Sequence, residues 1–423
     1  MSQELTLSVD STQPRAAAPP VFAALLPIVG VVFIAFLVIG LALPVLPLHV
    51  HQGLGLGAFV VGLVAGAQFG ASLLSRFWAG HFADSRGAKR ATVTGLLVAA
   101  VAGLLYLLSL CFISQPVTSV AILLLGRAVL GGAESFIVTG AFTWGLALAG
   151  PQNTGQIMAW VGTAMYAAFA VGAPVGNSLY ALHGFTAVAL ATTLIPLVTL
   201  LLVLPSRAVA PLPRVSPAFT RVIGAVWVPG LGLALSSVGF GAITTFIVLL
   251  FAQHGWDQAW LAFTVVSVTF MVGRLILGHL PDRIGGAMIA LVCVLVEAAG
   301  QALIWLAPFP TLAFLGAAVT GFGYSLVYPG FGVEAVRHAP PQSRGLAMGA
   351  YTAFLDLALG VANPALGLVA SGAGLGGVYL VSTLVVLCAA AIAVRLLKAP
   401  SLELRAGRKL CTGRVALRAA SNH

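Results

Sequence analysis

Four ionisable side chains lie deep inside apolar stretches of this chain: Arg127, Glu134, Glu297 and Asp356. Near a bilayer centre such a group costs about 2.5–3.5 kcal/mol, so it persists only with a partner, with water or with a task. Glu134 and Asp356 fall near the middle of their stretches. Desolvation there favours the neutral form of a carboxyl, and a group that is neutral when buried and ionised when wetted can carry a proton. These two are the candidate proton-coupling sites. Arg127 precedes Glu134 by seven residues, which on a helix is the same face about 10 Å away. That is too far for direct contact. Both can still line one wet cavity, where Arg127 would modulate the carboxyl or hold an anionic group. The competing reading makes each acid a protonated, structural hydrogen bond between helices.

The stretches that hold these groups are numerous. Hydrophobic residues make up 60% of the 423 and charged residues 7%, against about 25% charged in soluble proteins. Lipid is therefore the solvent for most of the chain. A spanning helix needs about 20 apolar residues. Twelve runs suffice: 22–48, 56–79, 90–112, 118–145, 154–181, 185–204, 222–251, 258–280, 286–306, 311–337, 343–370 and 374–397. Spanning strands would be shorter and would alternate in polarity, which disfavours a barrel. The expected fold is an all-α membrane protein of twelve transmembrane helices.

The net charge of +10 would suit nucleic acid, but its placement does not. Arg76, Arg86, Lys89, Arg90, Arg207, Arg214, Arg221, Arg274, Arg283, Arg337 and Arg344 lie at or beside every second turn. The six other turns, near residues 50, 115, 183, 255, 308 and 372, hold no Lys or Arg. This bias puts both termini in the cytoplasm. Residues 1–20 read as a disordered cytoplasmic arm without the order of a cleaved signal, and 21–204 as an N-terminal six-helix bundle. Residues 205–221, with four prolines and three arginines, read as a cytoplasmic linker. A C-terminal six-helix bundle (222–397) and a basic tail (398–423) that lies on anionic lipid follow. The four cysteines are scattered, so neither a disulfide framework nor a metal site is expected. His49, His51, His183 and His254 lie near the base-poor face and read as solvated loop histidines or sensors of external pH.

The chain also repeats itself. Arg76, Gly80, His81, Asp84 and Gly87 recur as Arg274, Gly278, His279, Asp282 and Gly285 at an offset of 198. Gly155, Met158 and Pro174 recur as Gly345, Met348 and Pro364 at an offset of 190. Two parallel repeats related by an axis along the membrane normal give two six-helix bundles. Small residues at four-residue spacing, Gly62, Gly66 and Gly70 in the second run and Ala164, Ala168, Gly172 and Gly176 in the fifth, mark close helix packing. They are also faces along which the halves could rock.

The motif Gly-x-x-x-Asp-x-x-Gly between spans two and three, repeated between spans eight and nine, resembles the signature loop of the major facilitator superfamily. Arg127-x-x-x-Gly131-Gly132 resembles that family's second motif, and Gly172-Ala-Pro174-Val-Gly176 loosely resembles the motif of its proton-coupled antiporters. Ser85 and Ala88 stand where the signature loop usually has bases, and Ala173 separates Gly from Pro.

The resemblance, which covers about residues 20–398, implies transport by alternating access. It implies a cytoplasmic latch of Gly80, Asp84, Arg86, Gly87, Gly278, Asp282, Arg283 and Gly285. The first glycine would allow close approach, the acid would face a helix N-terminus or an Arg, and the second glycine would make the turn. Glu334 and Arg337 would join the second latch through Arg283. Substrate would meet Phe136, Thr139, Thr143, Phe240, Thr244, Thr245, Tyr324, Ser325 and Tyr328, with Gln68, Tyr166 and Asn177 from neighbouring helices. Span nine is peripheral in that fold, so Glu297 reads as packing or interfacial.

No phosphate loop, His-Glu-x-x-His or Cys-x-x-Cys is present, so neither ATP hydrolysis nor an enzyme is indicated. The expected protein is a monomeric secondary transporter of the bacterial inner membrane, without cofactor. Its expected partners are protons, lipid and a small organic solute, with no nucleic acid. Proton-coupled efflux comes first and proton-coupled uptake of a sugar or organic acid second; a receptor or lipid-handling protein is the reading from another class. Cysteines introduced as Arg86→Cys and Arg283→Cys should react with an impermeant maleimide from the same side of the membrane. Reaction from opposite sides would refute the parallel duplication.

Overall fold

The computed structural model describes residues 21–150, 153–205, 208–209, 219–338 and 344–398. The expected arm, most of the linker and the tail after Lys398 lie outside the described residues, with Arg207, Arg214 and Cys411. So do the side chains of Arg221 and Arg344.

The N-terminal half begins with α1 (Val21–Ala42), which continues through Leu46–Leu48 and a π-helical turn, His49–Gly53. Next come α2 (Ala58–Arg86), α3 (Ala88–Leu110) and α4 (Pro116–Ala149). The 50-residue helix Thr154–Val203 is broken at Gly184, where φ is +64°, giving α5 (154–183) and α6 (185–203). The second half opens with α7 (Phe219–His254) and α8 (Trp260–Leu277), followed by a short helical turn, Leu280–Ile284. After it come α9 (Gly286–Trp305) and α10 (Pro310–Tyr324, resuming as Val327–His338). Helix Arg344–Lys398 breaks at Gly374, φ +77°, into α11 (344–373) and α12 (375–398). Among the described residues ten helices are long and apolar enough to cross a membrane. The two broken ones each supply two crossings, which gives the expected twelve. Side chains such as Leu74, Phe77, Leu201 and Leu275 are exposed on the outer surface, as lipid requires.

The duplication extends to the helix breaks. Gly184 and Gly374 stand at the 190 offset, and Gly87 and Gly285, at the 198 offset, have φ of +97° and +109°. Only glycine enters that region freely, so the second glycine of each motif makes the turn as expected. The first does something else. The helix of α2 runs on through Gly80 and Asp84 to Arg86, seven residues past the expected end, because the Gly87 amide still bonds to the Ala83 carbonyl. A side chain at Gly80 would meet open space, and Gly278 lies near the backbone of Arg274 in its own chain segment. Close approach at these two glycines is therefore absent in this conformation.

The halves meet along two antiparallel helix pairs, α2 with α11 and α5 with α8. In the first, a Cβ on Gly62 would lie 2.2 Å from the Asn363 carbonyl oxygen, and one on Gly66 2.8 Å from that of Gly360. Lipid supplies no hydrophobic drive between helices, so such backbone contact is what binds them. The second ridge differs from expectation. Gly172 and Gly176 pack against Gly40 and Leu41 of α1, inside their own half. The face that α5 turns to the other half instead carries Gly162, Tyr166 and Ala170: Gly162 lies against Arg274, Tyr166 stacks on Phe270, and Thr264 donates to the Ala170 carbonyl at 3.0 Å. His49 is also not a solvated loop residue. It is buried and stacked on Phe185, with ring centroids 4.1 Å apart.

Gly62→Val should keep α2 and α11 apart while leaving insertion intact. The expected outcome is normal membrane abundance, a longer spin-label distance between positions 58 and 367, and loss of transport.

Candidate functional site

Helix α2 places Gln68, Ser72 and Arg76 one above the other, because residues four apart share a face. Gly131 of α4 lets that face come close, since a Cβ there would stand 1.9 Å from the Gln68 carbonyl oxygen. Three polar contacts follow. Gln68 Nε2 donates to Glu134 Oε2 at 2.7 Å. Ser135 donates to the Ser72 carbonyl at 2.8 Å, and the two hydroxyls are 3.0 Å apart. Across the interface, Ser72 Oγ donates to Asp356 Oδ2 of α11 at 3.3 Å.

Arg76 completes the arrangement. Its Nε donates to Asp356 Oδ2 at 2.6 Å, and its Nη2 lies 2.5 Å from the same oxygen. The Asp356 side chain is 3% exposed and that of Arg76 23%. Arg76 sits ten residues before Arg86, about 15 Å along the helix. This is an ion pair between the two halves, inside the membrane thickness. It links both candidate proton carriers through one strip of α2: Glu134 on Gln68, and Asp356 on Ser72 and Arg76.

The sequence placed Arg76 among the basic turn residues and missed this role. The signal was available in the charge balance. Three carboxyls inside spans faced one in-span arginine, so further bases had to come from the span ends. Arg127 itself is 3% exposed. Its Nε is 3.4 Å from the Val64 carbonyl oxygen, and its Nη1 has no hydrogen-bond partner. It is thus buried within the N-terminal half. Glu297 is fully buried, accepting from Ser236 Oγ at 3.0 Å beside Gly239. Of its two expected roles, packing fits and an interfacial position does not.

Among the expected cavity residues, Tyr166, Phe240 and Tyr324 come together. Tyr166 stacks on Phe270 with centroids 3.5 Å apart, Phe240 stacks on Tyr324 at 5.5 Å, and Tyr166 meets Phe240 edge-on at 6.0 Å. Tyr324 is fixed by the Ser237 hydroxyl at 3.0 Å. Tyr328 is held by Thr352 at 2.7 Å and Tyr351. The Thr244 hydroxyl bonds back to Phe240 on its own helix, so it is not aimed at a ligand. Phe136 packs on Phe82 near the Gly87 end, and Thr139 is half-buried.

In the first copy of the latch Lys89 Nζ donates to the Leu204 carbonyl at 2.6 Å, and Arg86 lies over the Phe82 ring. Asp282 and Arg283 are exposed. Glu334 is buried and has Arg337 at 3.9 Å.

Two six-helix halves packed face to face around a polar strip define a membrane carrier. The chain belongs to the major facilitator superfamily, whose profile matches residues 28–288 and 230–419. It is 42% identical over 368 residues to an uncharacterized MFS-type transporter of Salmonella typhimurium, covering 86% of this chain and 94% of that one. It is also 42% identical to the uncharacterized MFS-type transporter YhhS of Escherichia coli K12 over 368 residues, 87% and 91% of the two chains. In fold it is similar to a bacterial homolog of the lysosomal transporter Spinster in an inward-facing, occupied conformation (TM-score 0.70, 15% identity, 89% and 96% covered). The nucleoside transporter NupG is likewise similar in fold (TM-score 0.69, 15% identity, 89% and 100% covered). The protein is a multi-pass membrane transporter and not an enzyme.

Removing one member of a buried ion pair strands the other, at about 3–5 kcal/mol, whereas replacing both by apolar groups is often neutral. Asp356→Leu should therefore lower the melting temperature in detergent more than Arg76→Met and Asp356→Leu together. Equal or greater loss in the double variant would show that the pair is not coupled.

Proposed function

We propose that this transporter is driven by protons and exports a small organic solute across the bacterial inner membrane. The observation that carries this reading is the Arg76–Asp356 pair with Glu134 in the same hydrogen-bonded strip. A proton delivered to Asp356 removes the charge that holds Arg76, which weakens the tie between the halves. Glu134, reached through Gln68 and Ser72, supplies or receives that proton. Substrate occupies the aromatic group around Tyr166, Phe240 and Tyr324. The basic turns and both termini face the cytoplasm, and the bundles (21–204 and 222–397) tilt as rigid bodies about the linker. The described contacts between halves run from Ala58 and Gly367 to Arg76 and Asp356. This fits a state closed at the outer end. The two signature motifs would then engage across the halves in the opposite, outward-facing state. The protein works as a monomer and needs no nucleic acid.

The test is flux in inverted vesicles carrying an imposed pH gradient, with a solute found by thermal shift. Interior acid should drive solute inward, and the solute should alkalinise acidified vesicles. Glu134→Gln or Asp356→Asn should reduce gradient-driven flux by about tenfold, the loss of roughly 1.4 kcal/mol of coupling. Solute driven by the opposite gradient would indicate uptake by symport. Flux indifferent to the gradient and to both substitutions would overturn proton coupling.

A further inference from the structure

The duplication assigns each helix of one half a counterpart in the other, and the two inter-bundle contacts are counterparts as well. Arg274 of α8 corresponds to Arg76 at the 198 offset, and Tyr166 of α5 corresponds to Asp356 at the 190 offset. The geometry obeys this correspondence. Arg76 meets Asp356 across α2 and α11, and Arg274 lies beside Tyr166 across α5 and α8. The chemistry does not. Where the first contact has a carboxylate, the second has a phenol.

Arg274 is consequently an arginine inside a spanning helix with no carboxylate paired to it among the described residues. Its guanidinium rests against Gly162, with Nη1 3.4 Å from where a Cβ would stand. It also lies 5.9 Å from the centre of the Phe270 ring. The phenols of Tyr166 and Tyr328 lie close enough to act on its charge. The side chain is half-buried, so it is not sealed from solvent or ligand. A guanidinium keeps its charge and presents a planar fork of donors suited to carboxylate. Phe270, the ring beside it, stacks on Tyr166 of the opposite half, and Phe240 and Tyr324 continue that aromatic group.

We propose that Arg274 is the anion-recognition residue of the transport site, and that the substrate is a carboxylate-bearing organic anion with a planar or aromatic body. The carboxylate takes the place across from Arg274 that Asp356 holds across from Arg76. The planar body slides between rings now stacked on each other, chiefly Tyr166 and Phe270, which belong to opposite halves. One guanidinium with phenol neighbours suits a singly charged acid better than a phosphate dianion, which needs more donors. Gly162 leaves room for the fork, so substrate binding and inter-bundle contact share one place. This deepens the transporter assignment and does not depend on proton coupling.

The experiment is binding to purified full-length protein in detergent, read by thermal shift and titration calorimetry. The probes are naphthoate, indoleacetate and cinnamate, each compared with its neutral primary amide. At least one acid should stabilise the protein while its amide does not. Arg274→Gln should weaken that acid by roughly tenfold or more, a loss of at least 1.4 kcal/mol. Arg274→Lys, which keeps the charge but loses the fork, should weaken it less, and provides the comparison if the Gln variant does not fold. Acids and amides acting alike, no acid acting at all, or Arg274→Lys and Arg274→Gln binding as wild type would each overturn the proposal. Failure of acid selectivity with pH-driven flux intact sinks this inference alone. Acid selectivity with flux indifferent to pH sinks proton coupling alone.

Discussion

A charge in lipid has to find its partner within the protein, and the rest of this structure follows from that constraint. The described residues contain one ion pair between the halves, Arg76 with Asp356. It lies where α2 and α11 have already been brought together by glycine. The order of causes matters. Gly62 and Gly66 allow backbone contact, and the contact fixes the register of two antiparallel helices. The register then sets Arg76 opposite Asp356. A bulkier residue in the ridge would move the pair apart, and each member would then be a desolvated ion with no compensation.

The polar strip on α2 also explains why the acids of two different halves belong to one system. Gln68, Ser72 and Arg76 are spaced by one helical turn each, so one helix reads out both Glu134 and Asp356. A change of charge on either acid is felt at the same strip. Under the proposed proton coupling, such an arrangement would link a local protonation to a contact between rigid bodies, which is the physical content of a conformational switch.

Much of this was legible in the sequence. Twelve spans, their order and the doubling of the chain follow from hydropathy and two offsets, and the breaks at Gly184 and Gly374 match the expected turns near 183 and 372. Glu134 and Asp356 stood out because lipid makes every in-span carboxyl conspicuous. What the sequence could not show was direction around each helix. Arg76 and Arg274 looked like turn residues because they sit near span ends, yet both point between the halves. The ridge Ala164–Gly176 was visible as a smooth face, but small-residue spacing does not say which neighbour it meets, and it met α1. Likewise Gly80 carried a role that depends on a conformation, and a motif does not reveal which conformation is populated.

The departures from symmetry are more informative than the symmetry. A perfectly duplicated carrier would have the same contact on both sides of its axis, and each would resist separation equally. Here one side is closed by an ion pair and the other by stacked rings beside a lone guanidinium. The first contact is self-satisfied, so it needs an event at the acid to loosen it. The second leaves an arginine without an acid among the described residues, which is where the proposed substrate anion would add most. Both contacts span the same two bodies, and any tilt that opens one alters the other. On the reading proposed above, divergence after duplication has left one half-interface to answer to a proton and one to answer to a solute, with rigid helices as the connection between them.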